Sequence, residues 1–174
     1  MTLLVGLILL MMLMVISVIG FRNTTLSERM TGNAVDRNVS FQSAESAGKE
    51  ALQIIESAAF AAGTSGQYAP SFANGSRTDF WTKGAGAAGL SAAQCATASS
   101  FSWVSCAAQV PSLYANNSER ARYVIERISE VVTPTSGLIL ANTVSTFRVT
   151  SRSTGGSGNA EVVLQVIYVR TTEP

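Results

Sequence analysis

The chain has 174 residues, 47% of them hydrophobic, and its twelve basic and eleven acidic side chains leave a net charge of +1, so no bulk attraction to nucleic acid or to an acidic partner is expected. Histidine is absent, which removes the commonest general base, the commonest metal ligand and every Ser–His or Cys–His nucleophile pair. The only aspartates are Asp36 and Asp79 and the carboxylates are not clustered, so neither calcium nor zinc is expected, no cofactor is implied, and the chain does not read as an enzyme.

Residues 1–21 (MTLLVGLILLMMLMVISVIGF) carry no charged side chain. As a helix at ~1.5 Å per residue this run spans ~31 Å, enough to cross the hydrocarbon core of a bilayer. A cleavable secretory signal has a basic region, an apolar stretch of about 7–15 residues and then a small-residue cleavage site. The present run is longer, lacks the basic lead and ends in bulky Phe21, so it reads as retained. Arg22, Arg29 and Arg37 follow the span, and the positive-inside rule alone would hold them in the cytoplasm. A basic leader removed ahead of Met1 resolves that tension and predicts that Met1 is a processed end.

No proline interrupts the helical pattern up to about Gly63, which predicts a helix ~90 Å long. The remaining ~110 residues fold into a body only ~30–35 Å across. Such a body covers less than half of the helix, and the other half must lie in lipid or against other chains. We therefore expect residues 1–28 to form a membrane or filament-core half and residues 29–174 a globular part. Within the second half of the helix, 29–62, residues Phe41, Ala44, Gly48, Ala51, Ile55 and Ala58 step by three and four. They predict a narrow stripe of mostly small side chains on which a sheet can lie closely. Glu45 and Lys49 form an i,i+4 pair in the favourable order. Gly6, Gly20, Gly32 and Gly48 each weaken a helix by ~1 kcal/mol relative to alanine; Gly20 and Gly32 flank the membrane exit, where local unwinding is tolerated.

Residues 63–119 read as a variable loop region rich in glycine, alanine and serine, with turn signals at Gly63–Gly66 and Asn74–Gly75. Phe72, Phe80 and Trp81 are expected to dock it on the body. Cys95 and Cys106 enclose ten residues. In an oxidising compartment they are expected to pair as a disulfide, two reduced and partly buried thiols being the alternative. Residues 120–174 are strand-like. Arg122–Ile128 is β-branched and aromatic, Thr146–Arg152 alternates with Phe147 and Val149 on one face, and Ala160–Arg170 places Val162, Leu164, Val166 and Tyr168 on one face. The glycine-rich turn at 153–159 predicts an antiparallel hairpin between the last two strands. The resulting fold class is α+β: an antiparallel sheet of three or four strands with an apolar face built on Phe147, Val149, Val162, Leu164 and Val166, covered by the C-terminal half of the long helix.

This order of parts resembles a type IV pilin. The stretch from Arg22 to Asn33 (RNTTLSERMTGN), Asp36–Arg37 and Phe41–Ala47 (FQSAESA) are similar to the helix of PilX-type minor pilins. The strand Arg122–Glu126 and the hairpin from Phe147 to Arg170 are similar to the C-terminal part of that family. The resemblance implies a prepilin cut by a prepilin peptidase just before Met1, which is then N-methylated. The subunit would wait as a single-pass protein of the inner membrane and be drawn by an assembly platform into a filament whose core is a bundle of such helices. It implies other minor pilins and the major pilin as partners, in a priming complex at the filament tip that supports adhesion, aggregation or twitching motility, with a host or surface ligand left open.

Most pilins carry a glutamate where this chain has Val5. That carboxylate is understood to pair with the terminal amine of the subunit ahead, and an unpaired charge in an apolar setting is costly. A subunit with no chain ahead has no amine to neutralise, so Val5 points to the most distal layer; the alternative is that Val5 merely suits storage in lipid and helix packing drives incorporation at any layer. Leu3, Leu7, Leu10, Met14 and Ser17 share one stripe and are expected to make the helix–helix contacts. Two other readings share much of this physics: a pseudopilin of a type II secretion system, and a single-span anchored adhesin that never polymerises. Arg120, Arg122, Arg127, Arg148, Arg152 and Arg170 concentrate in the sheet region, but Glu119, Glu126, Glu130 and Glu161 lie among them, so nucleic acid is not an expected partner.

Overall fold

The computed structural model describes residues 2–68, 95, 102–112, 117–134 and 141–172. The expectations placed on Met1, on Phe72, Phe80 and Trp81, and on the Asn74–Gly75 turn lie outside these residues. Helix α1 runs unbroken from Thr2 to Glu56, 55 residues, or ~82 Å at the standard rise. Leucine and methionine dominate its first third, and they lose little rotamer freedom in a helix. An added Cβ at Gly6, Gly20 or Gly32 would meet nothing, and the helix passes through all three.

The expected end near Gly63 is corrected: α1 stops at Glu56. Ala58 turns left-handed (φ 58°), its N–H donates to Ile55 O at 3.3 Å, and Ala59 N–H donates to Ile54 O at 3.1 Å. This is a Schellman stop with alanine where glycine is usual. The early stop lets Phe60 fold back against Phe147, ring centroids 5.2 Å apart and edge-on. Arg170 on the last strand donates from Nη1 to Ile55 O at 2.9 Å, placing a cation on the helix C-terminus where the dipole favours it.

Strands β1 (Gln67–Tyr68), β2 (Ala108–Gln109), β3 (Arg122–Pro134), β4 (Ala141–Thr154) and β5 (Glu161–Thr172) form one sheet, and a single helical turn α2 (Trp103–Cys106) precedes β2. β3, β4 and β5 are antiparallel neighbours in that order. The expected purely antiparallel sheet of three or four strands is corrected to a mixed, five-stranded one. The short β1 runs parallel to β3 at Ile125 and Glu126, and β2 runs antiparallel to it at Arg122 and Tyr123. Two-residue strands in a loop-like composition carry no alternation to read. The register of β3 on β4 shifts between Arg127 and Ser129, a bulge that ends the regular in–out alternation of β3.

The second half of α1 lies on one sheet face. Its buried stripe is Ser40, Ser43, Ala44, Ala47, Ala51 and Ile55, shifted from the expected one: Phe41 is 46% exposed and Ala58 is exposed. Only small side chains fit where the backbone approaches the sheet closely, so the bulky Phe41 is turned outward. Ala47, Ala51 and Ile55 pack with Val110, Ala121, Tyr123, Ile125, Phe147 and Val149, joined by the partly buried Phe60 and Tyr168. The opposite face carries a second cluster of Tyr68, Cys95, Trp103, Cys106, Ala107 and Val124. The helix thus covers one face of the sheet, and the cysteine-linked segment covers the other around Val124 of β3.

Candidate assembly interface

The surface most in need of a partner is the free half of α1. Residues 3–35 are exposed without interruption, and this part of the helix is long and apolar enough to cross a membrane with none of its most apolar stretch buried. Leu3, Leu7, Leu10 and Met14 are exposed, but so are Leu4, Ile8, Leu9 and Met11 to Leu13. Apolar side chains ring the helix rather than favour one face, as a segment surrounded by lipid or by other helices requires. Val5 is part of this ring. Ser17 donates its hydroxyl to Leu13 O at 2.9 Å, and Thr24, Thr25 and Thr31 donate likewise to the carbonyls four residues back. Each hydroxyl is thereby satisfied inside the helix, which lowers the penalty of placing it in apolar surroundings.

Where the free half meets the body, a polar clasp holds it. Asp36 Oδ1 accepts from the Ser157 N–H at 3.1 Å and Oδ2 from the Ser157 hydroxyl, in the turn that joins β4 to β5. The Ser157 hydroxyl, then its N–H, hold the Asp36 carboxyl below the usual aspartate value. Gly155 permits the approach, since a Cβ there would fall 2.4 Å from Asp36 Oδ1, and Gly158 supplies the left-handed φ of 76° that closes the turn. One turn further on, buried Ser40 donates to Ser153 O at 2.8 Å, and Asn117 Nδ2 donates to Ser153 Oγ at 3.0 Å. Sequence reasoning found the helix and the turn but not this contact. Its one legible trace is an aspartate at the start of the buried stripe, a residue type scarce in this chain.

Cys95 and Cys106 are joined, Cα atoms 5.5 Å apart, and both are fully buried. Tyr68 donates its hydroxyl to Cys106 O, and Gly66 N–H donates to the same carbonyl at 3.0 Å, so the bridge also anchors β1. Opening the bridge should lower the stability of the detergent-solubilised chain by ~2.5–3 kcal/mol in the chain-entropy model. The measurement is the urea midpoint with and without reductant. Burial pushes the Tyr68 hydroxyl up to about 12 from its usual 10.0. The neutral form is therefore favoured in the folded chain: stability is fully held below pH ~10 and falls as pH rises from there through about 12. Tyr68→Phe should flatten that alkaline loss, as followed by circular dichroism.

Of the expected inner-face residues, Phe147 and Val149 are buried, and Val162 and Leu164 are half-buried. Val166 is a correction: it is 48% exposed because it lines an open slot between α1 and the sheet, with Glu45, Gly48, Lys49, Leu52, Val149 and Leu164. Five of the six arginines are committed to local partners. Arg148 bridges buried Glu126 at 2.8 Å, Arg152 bridges Glu161 at 2.7 Å and Arg127 bridges Glu130 at 3.0 Å. Arg122 donates to the carbonyls of Trp103 and Val104, and Arg170 caps α1. No basic surface is built from these five. Among the described residues no group of three or more His, Cys, Asp or Glu could hold a metal ion.

The chain matches the family described as "Type IV pilus assembly protein PilX C-term" over residues 33–170, and the PilX N-terminal family over residues 1–47. It belongs to the PilX family of type IV pilus assembly proteins. No curated protein and no solved structure matches it. Membership makes the chain a component of type IV pilus assembly. The N-terminal match ends at Ala47, inside the buried stripe, so it takes in the whole exposed half, the Asp36 clasp and the first contacts with the sheet.

Proposed function

We propose that this chain is a minor pilin of the priming complex that initiates the filament and stays at its tip. Residues 1–28 serve as the membrane and then filament-core segment, and residues 29–174 as the head. The observation that carries the reading is Val5: the exposed apolar helix has no ionisable side chain before Arg22. An internal layer that relies on a carboxylate at this depth to meet the amine of the chain ahead would find nothing here, whereas the first layer has no such amine to meet. Before assembly, a prepilin peptidase frees and methylates Met1, and the subunit rests in the inner membrane, where lipid satisfies its side chains and the helix satisfies its own backbone. The assembly platform then exchanges lipid for the helices of other minor pilins and of the major pilin. Leu3, Leu7, Leu10, Met14 and Ser17 are the proposed contact stripe, on which unbranched methionines suit a surface that must fit several neighbours. Because lipid and helix surfaces are similarly apolar, the exchange is nearly balanced and the motor supplies the work.

Labelling of an epitope-tagged chain on sheared filaments tests the tip position. Label confined to filament ends is expected, and even label along the shaft overturns it. Val5→Glu should raise shaft labelling several-fold, because the carboxylate can now pair with an amine ahead. Quantitative immunogold counts of shaft against end make the comparison.

A further inference from the structure

Among the described residues the outer edge of β5 is open. The strand pairs with β4 along its whole length, from Glu161 to Thr172, and no described strand pairs with its other side. Nothing in its sequence guards that edge. Between Glu161 and Arg170 it reads VVLQVIYV, without charge or proline, and Val163, Val166, Ile167 and Val169 are exposed, Ile167 to 66%. Proteins that work alone blunt such edges with lysine, proline or a bulge, because a row of unpaired N–H and C=O groups templates another strand. Beside this edge, under α1, lies a slot of about 180 Å³ with an apolar floor of Leu52, Val149, Leu164 and Val166, lined also by Gly48, Ser151 and the Glu45–Lys49 ion pair. A strand laid on β5 would send every second side chain toward that slot and the others toward the face carrying Val163 and Ile167. Main-chain hydrogen bonds would then supply affinity and the slot would supply selectivity.

We propose that β5 is the docking edge for an extended segment of a different pilus-assembly chain, with aliphatic or β-branched residues at alternate positions that enter the slot under α1. A second copy of this chain is a poor occupant on geometric grounds. Antiparallel β5–β5 pairing about a two-fold axis perpendicular to the sheet reverses every direction in the sheet plane. The two α1 helices, which lie along the sheet, would then point opposite ways and could not enter one membrane together. Head-to-tail pairing is a poor fit for a different reason: among the described residues β1 and β2 occupy the far edge of β3 between Arg122 and Glu126, and the remainder, Arg127 to Pro134, starts at the bulge and ends in proline, which interrupts a ladder with the twelve residues of β5. The inference rests on membership of the PilX family and not on the tip position, so it stands or falls separately from the labelling experiment.

The test uses the full chain in cells with an intact pilus machinery, carrying the photo-crosslinker p-benzoylphenylalanine at Val166 in one strain and at Val163 in another. Both positions are expected to crosslink to one segment of another pilus-assembly chain, with the adducts mapped by mass spectrometry to neighbouring residues of opposite side-chain parity. Crosslinks to a second copy of this chain, or none to protein at either position, overturn the proposal. In parallel, Val166→Lys replaces an apolar floor residue of the slot by an unpaired cation, Lys49 being already paired with Glu45. Piliation should fall roughly tenfold or more, at wild-type membrane levels and with the Cys95–Cys106 bridge intact. Unchanged piliation with that charge in place overturns the proposal as well, and the crosslinks decide the matter should the variant fail to accumulate.

Discussion

Phe147→Ala is expected to lower the unfolding free energy of the head by ~3–5 kcal/mol, the range for removing a buried aromatic ring from a packed core. Phe147 is 4% exposed and stands where three elements converge. It pairs with Arg127 on β3 and Tyr168 on β5, faces the last buried turn of α1 and takes the edge of Phe60, over whose ring Arg127 sits at 5.7 Å. The void cannot be filled by a small shift, because Phe60 is held by the helix stop at Ala58 and Tyr168 reaches Glu56 with its hydroxyl at 3.3 Å. Chemical denaturation of the detergent-solubilised chain, followed by head-group tryptophan fluorescence, measures the loss. Phe147→Leu, which keeps most of the volume, should lose markedly less. Equal losses for the two would mean that the ring is not packed as described.

Gly66→Ala is the second large effect. Gly66 adopts φ 78°, and a Cβ there would fall 2.5 Å from the backbone nitrogen of Ala108 and 2.6 Å from its Cβ. Neither atom belongs to a flexible side chain. The residue also ties three segments together, donating to Cys106 O at 3.0 Å and accepting from Ile125 N–H at 2.7 Å. Left-handed strain alone is worth ~1–2 kcal/mol, and the backbone collision should bring the total to ~3 kcal/mol or more, by parting β1 and β2 from β3. Gly63 provides the control. It is also left-handed, at φ 95°, but a Cβ there would meet nothing, so Gly63→Ala should show the strain alone. A smaller shift of the unfolding midpoint for Gly66 than for Gly63 would contradict the described contact.

The long helix and the last hairpin were legible because each repeats one simple pattern. Residues 1–21 are uncharged throughout and apolar at nearly every step, and β4 and β5 alternate around a turn whose glycines announce it. Ala44, Ala51 and Ile55 were likewise readable at helical spacing. What escaped depends on distance rather than on pattern. The serines of the buried stripe, Ser40 and Ser43, look polar to any hydropathy rule, yet they are buried because the sheet comes too close for anything larger. The halt at Glu56 rests on Arg170 and Phe60, a cation from the far end of the chain and a ring that prefers Phe147 to another helical turn. Asp36 meets Ser157 across 121 residues. β1 and β2 are two residues long, and their pairing is set by Gly66 and by the cysteine bridge, so no local signal announces them. Val166 belongs to the apolar side of its strand as the alternation says, but alternation alone does not say how wide the covering helix is.

Polar fastenings hold α1 to the sheet at both ends of the seam, Asp36 on the turn before β5 and Arg170 near the end of β5, roughly 29 Å apart along the helix at ~1.5 Å per residue. A pull transmitted along the rod therefore loads the whole seam at once in shear, rather than prising it open one contact at a time. Under such a load the head should come away in one step rather than residue by residue, and the strands that run beside the rod share the strain with it.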